Sequence, residues 1–115
     1  MNPGTMRQAK ALFEATRKAA DRARSVSVIV APPVIFLREL SAQYKGAKLS
    51  FAAQNMHFEK SGAHTGDISA EQIKDAKATS VIIGHAERRA AGETNEETRA
   101  KVKAALDSKI APILC

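Results

Sequence analysis

Apolar residues recur along the chain at two alternating spacings, and these predict helices and strands in turn. A helical spacing follows Thr5, a residue type suited to cap a helix. A β-branched run over residues 25–31 then ends at two prolines, which cannot donate to a sheet ladder, so it predicts a strand. The pattern repeats with a helix over residues 34–44 and a strand over residues 48–54.

The middle of the chain breaks this alternation with a long loop. Residues 55–66 show no apolar period, and a loop of this length suggests a function. Ser69 then caps a short helix, with Gln72 at the spacing of a capping box. An apolar run over residues 79–83 predicts the third strand.

The last part of the chain predicts one more helix and one more strand. Thr94 and Glu97 form a second capping-box pattern, which begins a helix that runs to about Asp107. A fourth strand begins over residues 111–115. The alternation predicts an α/β fold with a parallel sheet and right-handed crossovers, built as a single unit over residues 1–115. The apolar side of the last helix is predicted to carry Val102, Ala105 and Leu106.

Length, composition and charge limit the possible functions. A chain of 115 residues can be one domain or half of something larger. The net charge of +6 raises the question of nucleic acid, but the basic residues fall at predicted helix surfaces among acidic ones, Lys101 and Lys103 included. Aromatic residues make up only 4%, so stacking partners for bases are scarce. We therefore expect no nucleic-acid partner, although an anionic small substrate would fit the charge.

Cysteine content and hydropathy bear on the compartment. Cys115 is the single cysteine, which excludes an internal disulfide and suits a reducing cytosol. No apolar run approaches the roughly 20 residues that span a bilayer, and the first 24 residues read as a charged helix rather than a secretion signal. We expect a cytoplasmic protein with no membrane association.

The most informative stretch is residues 84–93, which follow the third strand directly. His85 lies where a buried strand opens into a helical turn, and unpaired backbone N–H groups there can fix the tautomer of a histidine. His57 and His64 lie in the long loop, and the sequence assigns them no chemistry. The three histidines do not show a metal-ligand spacing and Cys115 is distant, so we expect no metal and no cofactor.

Six short motifs occur in order along the chain. They are Val-Ile-Val-Ala-Pro-Pro (28–33), Ala-Ala-Gln-Asn (52–55), Gly-Ala-His-Thr-Gly-Asp (62–67), Val-Ile-Ile-Gly-His-Ala-Glu-Arg-Arg (81–89), Gly-Glu (92–93) and Pro-Ile-Leu-Cys (112–115). This order of motifs resembles the triosephosphate isomerase family. The resemblance implies part of a (β/α)8 barrel, from the first helix through the fifth strand, because a whole barrel needs about 250 residues. It places the first strand, with a catalytic lysine, and the later half, with a glutamate base and the phosphate-binding loops, outside this chain.

The resemblance also implies site residues. His85 would be the electrophile that polarises the substrate carbonyl when dihydroxyacetone phosphate and glyceraldehyde 3-phosphate interconvert in glycolysis. Gln54 and Asn55, at a strand end, would shape the pocket. Glu87 would lie near the missing lysine.

A second set of residues would form a subunit interface. In the family, the loop with Thr65 and Gly66 reaches into a partner subunit, and Arg88 would pair with an acidic residue of that loop, for which Asp67 is the candidate. Two positions depart from the family pattern. Ala86 replaces a serine after the histidine, and Asp67 replaces a glutamate, which shortens its reach.

Part of a barrel has open sheet edges and an apolar inner face. We therefore expect the chain to self-associate or to pair with a complementary half-barrel, and to have little or no isomerase activity by itself. The alternative is a non-catalytic scaffold of stacked half-barrels. A weaker alternative is an anion-binding module that uses the basic surface.

Overall fold

A computed structural model describes all residues from 1 to 115. It contains five helices and four strands in the predicted alternating order, except that a one-turn helix follows the third strand. The elements are α1 (Met6–Arg22), β1 (Val28–Val30), α2 (Val34–Gln43), β2 (Leu49–Ala53), α3 (Ala70–Asp75), β3 (Ser80–Ile83), α4 (Ala86–Ala90), α5 (Asn95–Asp107) and β4 (Ala111–Leu114).

The four strands form one parallel sheet in the order β1-β2-β3-β4. This confirms the predicted α/β class with a parallel sheet. Each strand is shorter than the predicted stretch, since the ladder pairing stops short of the predicted ends. Every strand is joined to the next by a helical connection, so all carboxyl ends lie at one edge of the sheet.

The helix starts follow the predicted capping chemistry. The Thr5 hydroxyl accepts a hydrogen bond from the Gln8 amide at 3.3 Å at the start of α1. Complete capping boxes begin α3, with Ser69 and Gln72, and α5, with Thr94 and Glu97. Each box satisfies two backbone amides that the first helical turn leaves unpaired.

The core lies between the sheet and the helices on one of its faces. It is a cluster of 19 buried residues to which most helices and strands contribute. Three aromatic rings meet at one end of it: Phe13 of α1 lies 5.9 Å from Tyr44 and 5.6 Å from Phe51, centroid to centroid. The Tyr44 hydroxyl also accepts the backbone amides of Lys48 and Leu49 at 3.0 Å, which fixes the entry into β2.

Helix α5 buries a different face from the predicted one. Ala105 is buried as predicted, but the prediction for Leu106 is wrong, since that side chain is 59% exposed. The predicted surface position of Lys101 is also wrong, because only 6% of this residue is exposed. Thr98 is also buried, so the inner face of α5 is partly polar.

The other face of the sheet is open. Strand residues alternate between the two faces, and Ile29, Ile82 and Ile113 point away from the packed helices. Ile29 is 45% exposed and Ile113 is 36% exposed, while Ile82 is half-buried beside Ile113 in the register. The outer edges of β1 and β4 have no neighbouring strand. We call these three isoleucines the open face. No helix is both long and apolar enough to span a bilayer.

Candidate functional site

The turn between β3 and α4 presents His85 at the carboxyl edge of the sheet. Gly84 has a φ of 73°, a left-handed conformation that side chains disfavour. A Cβ at this position would also lie 3.2 Å from the Thr98 methyl group and 3.3 Å from the Cys115 carbonyl oxygen. Glycine is therefore favoured at this position, and the turn it makes leaves His85 at the N-cap of α4.

The hydrogen bonding of His85 defines its tautomer. Its Nδ1 accepts a hydrogen bond from the Glu87 backbone amide at 3.3 Å. A nitrogen that accepts this bond carries no proton, so in the neutral ring the proton lies on Nε2. The side chain is 46% exposed, which leaves Nε2–H free to donate to a bound oxygen.

A cavity of about 460 Å³ lies beside His85. It brings together all of the residues that the sequence linked to a substrate pocket, namely His85, Gln54, Asn55 and Glu87, and Arg88 as well. Their common location at the carboxyl ends of β2 and β3 is where ligands bind in parallel α/β folds. The remaining lining residues are Met1, Asn2, Ala31 and Ile82.

Gln54 supports the cavity wall through its amide nitrogen. Nε2 donates to the carbonyl oxygens of Met1 at 2.8 Å and Ala31 at 2.9 Å. The two bonds use both protons of the amide and connect the first residue of the chain to the residue after β1. Gln54 thus holds two segments in place with its donors, and its carbonyl oxygen stays available.

Asn55 is held by a buried ion pair that the sequence analysis did not find. Its Oδ1 accepts a hydrogen bond from Lys101 Nζ at 3.1 Å. The same ammonium group pairs with the Glu93 carboxylate, and the two side chains are 7% and 3% exposed. The charge pattern of α5 suggested a solvated lysine, and only the three-dimensional packing shows its two partners.

Glu93 is the centre of this network. Its carboxylate accepts the Gly84 backbone amide at 3.2 Å and lies 3.5 Å from Arg88 Nε. Burial raises the pKa of Glu93, but hydrogen bonds and charges from Lys101 and Arg88 outweigh it and hold this pKa below its ordinary value. Glu93 is therefore ionised, and its carboxylate supports the turn before His85 through the hydrogen bond from the Gly84 amide. The sequence signal was the Gly-Glu motif at 92–93, which carried no assigned role.

The predicted interface residues lie on the exposed loop after β2. Thr65, Gly66 and Asp67 are exposed, as an intersubunit contact requires. Asp67 Oδ2 lies 3.9 Å from His57 Nε2, and Arg88 pairs with Glu93 instead. The predicted Arg88–Asp67 pair does not form within one chain, and its formation between two chains stays a prediction.

Comparison with known proteins agrees with this geometry. The family model described as triosephosphate isomerase matches residues 1–115. A triosephosphate isomerase of Coprinopsis cinerea is 46% identical over 116 residues, which cover 100% of this chain and 45% of the relative. The crystal structure of triosephosphate isomerase from Bartonella henselae superimposes with a TM-score of 0.84 at 35% identity, covering 99% of this chain and 48% of that one.

The two comparisons also define the extent of the match. The chain spans about half the length of these relatives. The structural match over four parallel strands confirms the predicted partial barrel. With a family model that covers every residue, the chain belongs to the triosephosphate isomerase family.

Proposed function

We propose that these residues form the half of an isomerase site that supplies the electrophile for interconverting dihydroxyacetone phosphate and glyceraldehyde 3-phosphate. The observation that carries the proposal is the bond from the Glu87 amide to His85 Nδ1, which leaves Nε2–H available on a side chain that lines the cavity. The triosephosphate isomerase family uses a neutral imidazole to polarise the substrate carbonyl in this way.

In this proposal His85 Nε2–H donates to the carbonyl oxygen of the triose phosphate. The hydrogen bond strengthens as a base removes a proton from the neighbouring carbon and negative charge develops on that oxygen. Glu87 lies 3.7 Å from Nδ1, but its side chain is 89% exposed, so it is poorly placed to act as that base. The base and the phosphate-binding groups would come from polypeptide outside these 115 residues.

The same polypeptide would cover the open face. Parallel sheets are normally covered on both faces, whereas here Ile29 and Ile113 are exposed and the outer edges of β1 and β4 are unpaired. We propose that a complementary half-barrel packs on this face and pairs with these edges. A second copy of the chain is the alternative occupant, and it would make the protein a non-catalytic scaffold.

A coupled isomerase assay tests the proposal. The chain is assayed alone and after co-expression with the segments of the Coprinopsis cinerea relative that flank the matched region. We expect little or no activity alone, activity in the co-expressed complex, and its loss in the His85→Gln variant. A chain that associates only with itself and stays inactive in the presence of the flanking segments would favour the scaffold. Robust activity of the 115 residues alone would show that no complementary half-barrel is needed.

We also propose that the protein works in the cytoplasm. Its cysteine is free and exposed, as suits a reducing compartment, and the proposed reaction is a step of glycolysis. Localisation of a tagged full chain by fluorescence microscopy would test this, and a signal confined to a membrane-bound compartment would contradict it.

A further inference from the structure

A band of basic residues lies at the amino edge of the sheet, where the strands begin, opposite the edge that carries His85. Each helical connection returns the chain to this edge, and exposed basic residues precede all four strands. We call this band the basic edge. We propose that the basic edge binds a segment of another protein that is rich in aspartate and glutamate. The members of the basic edge are Arg22, Arg24, Lys45, Lys48, Lys77 and Lys109.

The register of the sheet brings the lysines of three strand entries side by side. Ser80 of β3 pairs with Ala52 of β2 and with Ala111 of β4. One lysine lies two to four residues ahead of each of these three positions: Lys48, Lys77 and Lys109. The Lys48 ammonium group also donates to the Ala23 carbonyl at 3.2 Å, so the arginines at the end of α1 lie beside the entry into β2. The six residues therefore form one continuous band.

The positive charge of the basic edge is not neutralised within the chain. None of its six members forms an ion pair. Three carboxylates lie one or two residues from members of the band, but each pairs with a basic residue outside it. These pairs are Asp21 with Arg17 at 3.2 Å, Asp75 with Arg38, and Asp107 with Lys103 at 2.7 Å. The edge thus has an excess of positive charge available to a partner.

Lys77 and Lys109 have an unfavourable backbone conformation at equivalent positions. Their φ angles are 64° and 59°, and they are the only residues other than glycine with positive φ. Each follows the end of a helix, and the amide of the next residue donates to a helix carbonyl five residues earlier, at 3.2 and 2.9 Å. Glycine is the usual residue at this position, because a side chain costs free energy there. Backbone preference does not explain two lysines, whereas a role for their charge does.

The chemistry of the basic edge favours carboxylates over other polyanions. Four of its six members are lysines, whereas paired hydrogen bonds to phosphate favour arginine. Binding of single-stranded nucleic acid relies on aromatic stacking, but Tyr44 is half-buried and its hydroxyl is bonded to two backbone amides. Stable membrane binding needs an apolar anchor besides basic residues, and Val26 is the one exposed large apolar side chain in the connections before the strands.

The dimensions of the basic edge fit an extended peptide segment. Neighbouring strands lie about 4.8 Å apart, so four strands make the edge about 14 Å wide. An extended chain rises about 3.3 Å per residue, so about five residues cross this width. Their carboxylates can meet lysines at successive strand entries. The His85 cavity lies at the opposite edge, so a bound segment leaves it open.

The test is fluorescence anisotropy with the full 115-residue chain and a labelled oligoglutamate peptide. We expect saturable binding that weakens as the salt concentration rises, and no binding of an oligoglutamine peptide of the same length. The double variant Lys77→Gly, Lys109→Gly should weaken binding about fivefold or more, because it removes two ion pairs. Its free energy of unfolding should not fall, since glycine suits both backbone positions, so lost binding would not reflect lost folding.

The matched control is the double variant Arg7→Gln, Arg99→Gln. It removes the same amount of charge from exposed arginines that form no ion pair and lie in the first halves of α1 and α5. Arg7 lies about 22 Å before Arg22 along the helix, which exceeds the screening length of about 10 Å in 0.1 M salt. Binding should therefore weaken less than about twofold in this control.

Three outcomes would overturn the proposal. Equal weakening in the two double variants would show that binding follows net charge and has no defined place. Unchanged binding with lower stability in the lysine variant would show that Lys77 and Lys109 serve only the helix ends. A preference for single-stranded DNA or phosphatidylserine vesicles over the peptide, at equal negative charge, would assign the edge to a different partner.

Amide NMR of the chain locates the contact independently of the variants. Addition of the oligoglutamate peptide should shift the resonances of residues ahead of the four strands and leave those around His85 unchanged. Shifts centred on His85 would place the peptide in the cavity and contradict the proposal. None of these results depends on isomerase activity, so the proposal can fail while the proposed function stands.

Discussion

Glu93 accepts the backbone N–H of Gly84 at 3.2 Å, so a buried carboxylate holds the residue that precedes His85. The same carboxylate pairs with Lys101, which in turn donates to Asn55. The electrophile and a pocket residue on the neighbouring strand are thus connected through one ion pair. The stability of this turn and the position of His85 should therefore change together.

The first prediction concerns the charge of Glu93. Glu93→Gln keeps the shape but leaves the Lys101 ammonium buried without a counter-charge, which should lower the free energy of unfolding by about 3 kcal/mol. Urea denaturation followed by circular dichroism measures this. Glu96→Gln, an exposed change in the first turn of α5, is the control and should stay within about 0.5 kcal/mol of the unmodified chain. Equal losses of unfolding free energy in the two variants would contradict the stabilising role of the Glu93 carboxylate.

The second prediction concerns pH. The pKa of Glu93 is lower in the folded chain than its ordinary value of 4.5, so its ionised form stabilises the fold. This contribution is complete above the unfolded-chain pKa and is lost as the pH falls through the folded-chain pKa. The difference in unfolding free energy between the unmodified chain and Glu93→Gln should therefore be constant near neutral pH and shrink below about pH 4.5. A difference that stays constant down to pH 3 would contradict the lowered pKa.

The third prediction concerns the glycine of the turn. Gly84→Ala places a Cβ at a positive φ and against Thr98, which should cost about 2 kcal/mol of stability. Thermal denaturation measures the loss. Gly4→Ala is the control, because the nearest atom to its new Cβ is Gln8 Oε1 at 3.6 Å, and its effect should stay within about 0.5 kcal/mol. If Gly84→Ala is as mild as the control, the turn is more adaptable than its contacts imply.

The fourth prediction concerns the open face. Ile29→Lys puts a charge on the open face, so it should shift any assembly of the chain towards the 12.3 kDa monomer. Ile35→Lys is the matched control, because Ile35 is 75% exposed on α2, outside the open face. Size-exclusion chromatography with light scattering gives the masses. An assembly that survives Ile29→Lys and is lost with Ile35→Lys would place the contact elsewhere.

Local sequence signals predicted the order of elements and the helix starts. The capping boxes at Ser69 and Thr94 are read from residues three apart, and the structure forms both. The position of His85 was equally local, since it follows from one strand end and one helix start. Such features depend on residues close together in the sequence, so the sequence alone is enough to predict them.

Long-range polar contacts could not be predicted from the sequence. Lys101 lies among charged residues on α5, and nothing in that pattern distinguishes it from a solvated lysine such as Lys103. Its burial depends on Glu93 and on Asn55, which is 46 residues away. The approach of His57 to His64 likewise depends on the fold of a loop without periodicity. Residues of this kind are found only when the packing is known.

The bond from Gln54 Nε2 to the Met1 carbonyl has a practical consequence for how the protein is handled. Because Met1 and Asn2 line the same cavity as His85, residues joined ahead of Met1 would leave the fold at the mouth of that cavity. An affinity tag fused there would crowd the imidazole and compete with any small molecule for the space.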